Sequence, residues 1–137
     1  MSDLVVDASA PLTWAFPDEH SEDASRLVSA LRIPGNRGIV TAFFHQEILN
    51  ALLVAERRGR ITSVAAGEFL TDLVALPFFP ETPEVRRLPA IERLSRKHGL
   101  TAYDASYLEI AIRLKLPIAS FDAALVRASS AEGVALF

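Results

Sequence analysis

The chain of 137 residues reads as an α/β domain on a short-stranded, mostly parallel sheet. Three observations predict that class. Leu4-Val5-Val6 and Ile39-Val40 are short β-branched runs, and Pro117 to Phe121 is a third apolar run, as expected of strands buried on both faces. The segments between them carry helical spacing with start and stop residues at their ends. Strands alternating with helices require right-handed crossovers, which place helices over both faces of a parallel sheet. The length suits a single domain over residues 1–137, enough to bury roughly two-thirds of the unfolded surface.

Leu4 to Val6 is the first strand and runs directly into Asp7-Ala8-Ser9. A short helical stretch covers Pro11 to Phe16, and Pro17-Asp18 breaks it. Glu19 to Leu31 follows as a helix with acidic residues in its first turn, where they complement the dipole. Pro34-Gly35-Asn36 is a loop and Ile39-Val40 the second strand. Thr41 is a candidate cap for a long helix reaching about Arg57, which Gly59 stops. Thr62 or Ser63 starts another helix running to about Leu76. Phe78-Phe79, between Pro77 and Pro80, fits only a short edge strand. Val85 to His98 is helical and ends at Gly99, and Thr101 opens a helix ending near Leu114. Pro117 to Phe121 is a strand, Ala123 to Ser129 a helix, and Val134 to Phe137 a last strand.

Composition narrows the chemistry. Without cysteine there is neither a disulfide framework nor a thiolate metal site, in keeping with a reducing cytoplasm. The opening Met-Ser-Asp-Leu-Val-Val-Asp has no basic stretch before an apolar one, so no signal peptide is expected. No apolar run approaches the ~20 residues of a membrane span. A cytoplasmic protein is expected. The net charge of −3 does not advertise nucleic-acid binding, although Arg57, Arg58 and Arg60 cluster, as do Arg93, Arg96 and Lys97. Half the residues are apolar and the mean hydropathy is +0.26, so part of the surface is expected to lie against another chain.

The informative feature is the placing of four acids. Asp7 ends the first strand, Asp104 lies in the first turn after Thr101, and Asp122 follows the strand Ile118 to Phe121. In a parallel sheet the strand ends and following helix starts share one edge, where ligands bind. Each of the three also has a local explanation. Asp104 completes a capping box with Thr101, and Asp7 and Asp122 can cap the helices after them. Glu47 has no such explanation, because its helical neighbours Phe43, Phe44, Ile48, Ala51 and Val54 are apolar. A carboxylate there should face a cation, a partner or a polar cavity, which Asn50 one turn later would extend.

Convergent carboxylates must be neutralised, since two of them ~4 Å apart repel by roughly 4 kcal/mol at an effective dielectric near 20. No Arg or Lys neighbours these four positions closely in sequence. An all-oxygen set selects hard ions such as Mg²⁺ or Mn²⁺, and such ions activate water and stabilise charge on a phosphodiester.

Several segments together resemble the PIN-domain VapC toxins: Val5-Val6-Asp7-Ala8-Ser9 with Trp14, Glu47 to Leu52, Arg57-Arg58-Gly59-Arg60-Ile61, Leu100 to Leu108, and Leu116 to Asp122. The resemblance covers nearly the whole chain in order, and the segment around Tyr103-Asp104 is its most specific part. It implies a three-layer α/β/α domain and an Mg²⁺- or Mn²⁺-dependent endoribonuclease, the toxin of a VapBC-type pair. Carried over, Asp7, Glu47, Asp104 and Asp122 are the metal ligands and catalytic residues. Ser9, Asn50 and Ser120 are supporting residues, Ser120 standing where the family usually has Thr. The implied partners are an RNA substrate, a VapB-like antitoxin and a second copy of the chain.

The histidines, His20, His45 and His98, read as solvated helix positions rather than ligands, and Trp14 as a core or interface residue. Arg57, Arg58 and Arg60 either contact RNA phosphates or form a solvated helix end. The other functional classes are a catalytically idle PIN-like binding or regulatory module, a metal-dependent DNase, and an aspartyl phosphatase. Against the last, Ser9 stands where a second Asp is commonly wanted.

Overall fold

Residues 2–137 are described by a computed structural model. Among them four strands, β1 (Asp3–Val6), β2 (Arg37–Val40), β3 (Phe78–Pro80) and β4 (Ile118–Ala119), pair in the order β3-β2-β1-β4. Every neighbouring pair is parallel. The helices are α1 (Ser9–Leu12), α2 (Glu22–Leu31), α3 (Phe44–Arg57), α4 (Ser63–Val74), α5 (Leu88–His98), α6 (Ala102–Leu114) and α7 (Ala123–Ala131), with 3₁₀ turns at Thr13–Ala15, Pro17–Glu19 and Val85–Arg87. Successive strand residues point to opposite faces. Leu4, Val5 and Val6 are nevertheless all buried, so helices cover both faces of the sheet and the fold is the expected three-layer α/β/α sandwich. No helix among the described residues is long and apolar enough to cross a membrane.

The core is filled by side chains that helical spacing sends inward. Leu27 and Leu31 of α2, Phe44, Ile48 and Leu52 of α3, Leu108 of α6 and Leu125 of α7 are all buried against the strands. Trp14 is a core residue too, and its Nε1–H donates to the Ala24 carbonyl at 2.9 Å.

Several boundaries differ from the expected ones. Helix α2 starts at Glu22 rather than Glu19, because Ser21 takes the cap and accepts the Ala24 N–H at 3.1 Å. Thr41 does not cap α3 through its side chain: the cap position is Phe43, and the Thr41 hydroxyl is buried beside Tyr107. The fourth strand is confined to Ile118–Ala119. The N–H groups of Phe121 and Asp122 donate to the hydroxyls of Ser9 and Ser120 instead of a strand partner. Val134 to Phe137 forms no strand but one parallel bridge, Ile118 to Leu136, because β4 is too short to pair along. Phe78–Pro80 is the expected edge strand.

Gly38 of β2 is required by packing. A Cβ there would lie 2.7 Å from the Phe78 ring and 3.3 Å from Val6. The ring packs against Phe44 and His45, which limits its room to retreat. Gly38→Ala is expected to destabilise the domain by about 1–3 kcal/mol, the usual cost of overpacking. Chemical denaturation would show it as a lowered midpoint with an unchanged slope, whereas an unmoved midpoint would mean that β3 shifts freely.

Candidate metal centre

Parallel pairing puts the carboxyl end of every strand on one edge. Asp7 leaves β1, an inner strand, and is only 3% exposed. Its side chain does not cap α1, whose cap position is Ala8 with no side-chain bond. Instead Ser9 Oγ and Ser120 Oγ both donate to Asp7 Oδ2, at 2.5 and 2.8 Å. Both hydroxyls expected to support the site therefore converge on one oxygen of one acid. Each also accepts a backbone N–H, from Phe121 at 3.0 Å and from Asp122 at 3.1 Å, which ties the loop after β4 to Asp7.

Glu47 is half-buried in the first turn of α3, and its Oε1 accepts the Tyr107 hydroxyl at 2.7 Å. Sequence reasoning assigned Tyr107 no role, although the signal was present: it lies three residues after Asp104, on the same face of α6. Burial pushes the phenol far up, so it stays protonated and can only donate to the carboxylate. Asp104 sits in the first turn of α6, and its backbone N–H donates to Thr101 Oγ1 at 3.1 Å. Asp122 caps α7 as the local reading proposed, with Oδ1 accepting the Leu125 N–H at 2.8 Å. Asn50 is exposed and makes no hydrogen bond to any of the four acids.

The electrostatics set this edge apart. Burial raises the pKa of Asp7, and the Asp104 charge adds to the effect. Glu47 is raised by burial and then by Asp7 and Asp104, and Asp104 by burial and then by Asp122. Among the described residues none of the four forms an ion pair, whereas Asp3, Glu81, Glu84, Glu109 and Glu132 all do. The contrast is sharpest between the two buried acids of the described residues: Glu109 is held by Arg113 at 2.9 Å, and Asp7 has carboxylates for neighbours.

A hard cation fits this donor chemistry, because the groups are all oxygens and carry excess negative charge. Among the described residues no three His, Asp or Glu side chains form a group that could hold an ion in their present rotamers. That still suits an ion such as Mg²⁺, which usually binds through one or two carboxylates and keeps several waters.

The histidines stand apart from the site, but only His20 is exposed, and it lies outside any helix. His45 is half-buried against Phe44 and Phe78, which lowers its pKa, and His98 pairs with Glu132 at 2.7 Å. Of the basic cluster, Arg60 is engaged by Asp18 and Glu19 and lies over the Phe16 ring. Arg57 and Arg58 are exposed and form no ion pair among the described residues.

A carboxylate whose pKa is raised on folding holds its proton longer in the folded state, so the folded state loses stability as pH rises through that raised value. Asp7, Glu47 and Asp104 therefore destabilise the metal-free protein from about pH 4 upward. His45, with its pKa lowered, acts in the opposite sense below about pH 6.5, so comparison with a variant at matched pH isolates the acids. In EDTA, Asp7→Asn should melt above the unsubstituted protein at pH 7.5, and the gap should close towards pH 4.5. A gap independent of pH would show that the Asp7 pKa is not raised on folding.

Comparison with known proteins agrees with this architecture. The PIN domain family model matches residues 4–130, a span holding all four acids. Ribonuclease VapC3 of Pyrobaculum aerophilum is 32% identical over 115 residues, covering 81% of this chain and 82% of that protein. The crystal structure of PAE2754 from the same organism superposes with a TM-score of 0.69 at 24% identity, over 93% of this chain and 86% of that one. That structure repeats the fold, and the sequence match runs from the first strand through the helix that Asp122 caps. The chain belongs to the PIN-domain family and is a VapC-like member of it.

Proposed function

We propose that the protein is an Mg²⁺- or Mn²⁺-dependent endoribonuclease, the toxin of a VapBC-type toxin–antitoxin pair. The observation that carries the proposal is the state of Asp7, buried at 3% exposure among carboxylates and without a cationic side chain. An unpaired buried charge is costly, so a fold that retains one has a use for it. The relative named Ribonuclease VapC3 supports RNA as the substrate class.

In this reading Asp7, Glu47, Asp104 and Asp122 hold the ion, and Asp7, Glu47 and Asp122 each have a separate support. Ser9 and Ser120 fix one oxygen of Asp7 and leave Oδ1 to face the ion. Tyr107 fixes Oε1 of Glu47, and the cap bond to Leu125 fixes Oδ1 of Asp122, leaving the other oxygen of each carboxylate available. Partners of this kind hold a ligand in one orientation, which is their usual contribution at metal sites. When bound, the cation supplies a lowered pKa for a coordinated water and stabilisation of charge on the phosphate. Asn50 is one turn from Glu47 on α3, where it can meet the substrate rather than the ion. Arg57 and Arg58 offer charge to the RNA backbone.

A VapB-like antitoxin and a second copy of the chain are the partners this reading includes. Leu49 and Leu53, one turn apart on α3, and Val64 of α4 are exposed apolar positions suited to protein contact. The cytoplasm is the compartment in which such a pair works. The complete carboxylate set argues against the idle-module reading.

Purified protein with Mn²⁺ or Mg²⁺ is expected to cut total cellular RNA into discrete fragments, and EDTA to abolish the cutting. Asp7→Asn and Asp104→Asn should each lower the rate by about 100-fold or more. A single-stranded DNA of matched sequence run beside the RNA separates RNase from DNase. Well-folded protein that leaves a broad RNA set intact with either ion would overturn the proposal. Tyr107→Phe keeps the ring but removes the bond to Glu47, and is expected to weaken metal affinity or activity by about 10- to 100-fold. Metal titration followed by thermal melting reads that loss without relying on turnover.

A further inference from the structure

Two aromatic side chains stand open beside the acids. Tyr103, 62% exposed, immediately precedes Asp104, and Phe121, 41% exposed, immediately precedes Asp122. Other rings on this molecule are covered by cations: Arg60 lies over Phe16, Arg37 over Phe79 and Arg26 over Phe137. Among the described residues no cation covers Tyr103 or Phe121.

The fold puts the segments that carry these rings on opposite sides of Asp7. Phe43 follows β2, Asp7 follows β1 and Phe121 follows β4, and those strands are neighbours in the order β2-β1-β4. Tyr103 joins the β2 side through its edge-to-face contact with Phe43, with ring centroids 5.2 Å apart. Phe43 in turn meets Tyr107 edge-to-face at 6.4 Å, and Tyr107 holds Glu47. On the other side, the Phe121 backbone is bonded to Ser9, which holds Asp7. Neighbouring strands are ~4.8 Å apart, so the two flanks are separated by about 10 Å of backbone across Asp7. Each ring is thus anchored to the group that orients a carboxylate, while much of its surface stays open.

We infer that Tyr103 and Phe121 are base-stacking platforms that seat a single-stranded RNA across the carboxylates, one base on each side of the phosphodiester presented to Asp7. The inference rests on the ribonuclease reading above and adds what holds the substrate. Aromatic stacking accepts every base, so it grips a strand with little sequence demand, and it requires bases not already stacked in a duplex. It also gives a chain of net charge −3 a way to hold RNA that does not depend on a large basic surface.

The test combines steady-state cleavage with binding of a short fluorescein-labelled single-stranded RNA. Tyr103→Ala and Phe121→Ala should each raise KM and the dissociation constant by about 5- to 100-fold, with kcat little changed. Tyr103→Trp and Phe121→Tyr should restore binding, and Tyr103→Leu, which keeps bulk without an aromatic face, should not. Replacing the base on one side of the cut with an abasic ribose should weaken binding to the unsubstituted protein and to only one of the two alanine variants. Val74→Ala, at an exposed site on α4, is the control expected to change nothing. If the unsubstituted protein cuts RNA and both alanine variants keep its KM, the stacking role is wrong. If the unsubstituted protein neither binds nor cuts RNA, the ribonuclease reading fails together with this one.

Discussion

The burial of Asp7 at the end of an inner strand is the constraint around which this edge of the molecule is arranged. The carboxylate cannot turn to solvent, because β2 and β4 flank its strand and helices cover both faces of the sheet. Two serine hydroxyls satisfy one oxygen. Among the described residues no ion pair answers the rest, and the charges that act on Asp7 and Glu47 are those of further carboxylates. Burial and like-charge repulsion then act in the same direction on Asp7, Glu47 and Asp104. The fold elsewhere handles a buried acid differently, closing Arg113 over Glu109. The same sequence thus contains both solutions, and only one of them closes a cation over the acid.

Local helix chemistry and the site use the same residues. The cap bond of Asp122 engages one carboxylate oxygen and fixes the direction of the other. The expected capping box of Thr101 and Asp104 is only half formed: Thr101 accepts the Asp104 N–H, and the reciprocal side-chain bond is missing among the described residues. One turn of α6 carries Tyr103, Asp104 and Tyr107, so a ring, a carboxylate and a positioning phenol move as one rigid unit.

Much of this was legible because strand burial and helix spacing are written in residue types. The β-branched run before Asp7 and the apolar neighbours of Glu47 needed no coordinates to interpret. The misplacements have two causes: a competing local cap at the start of α2, and elsewhere partners that lie far away in the chain. Ser21 competed with the acids before it for the start of α2, and Thr41 turned towards Tyr107 instead of capping α3. His45 and His98 have the spacing of solvated helix positions, yet one packs against Phe78 and the other pairs with Glu132, residues more than thirty positions away.

The sequence by itself determined the fold class, singled out the four acids and put Asp7, Asp104 and Asp122 on one edge, because parallel connection forces strand ends to one side whatever the side chains do afterwards. Tertiary structure alone decided which carboxylate is buried, which hydroxyls hold it and which acids lack a counter-ion. Those properties depend on distances between segments far apart in the chain: Asp7 with Ser120, and Glu47 with Tyr107. The energy of a charge is set by what surrounds it in space, and sequence order does not encode that directly.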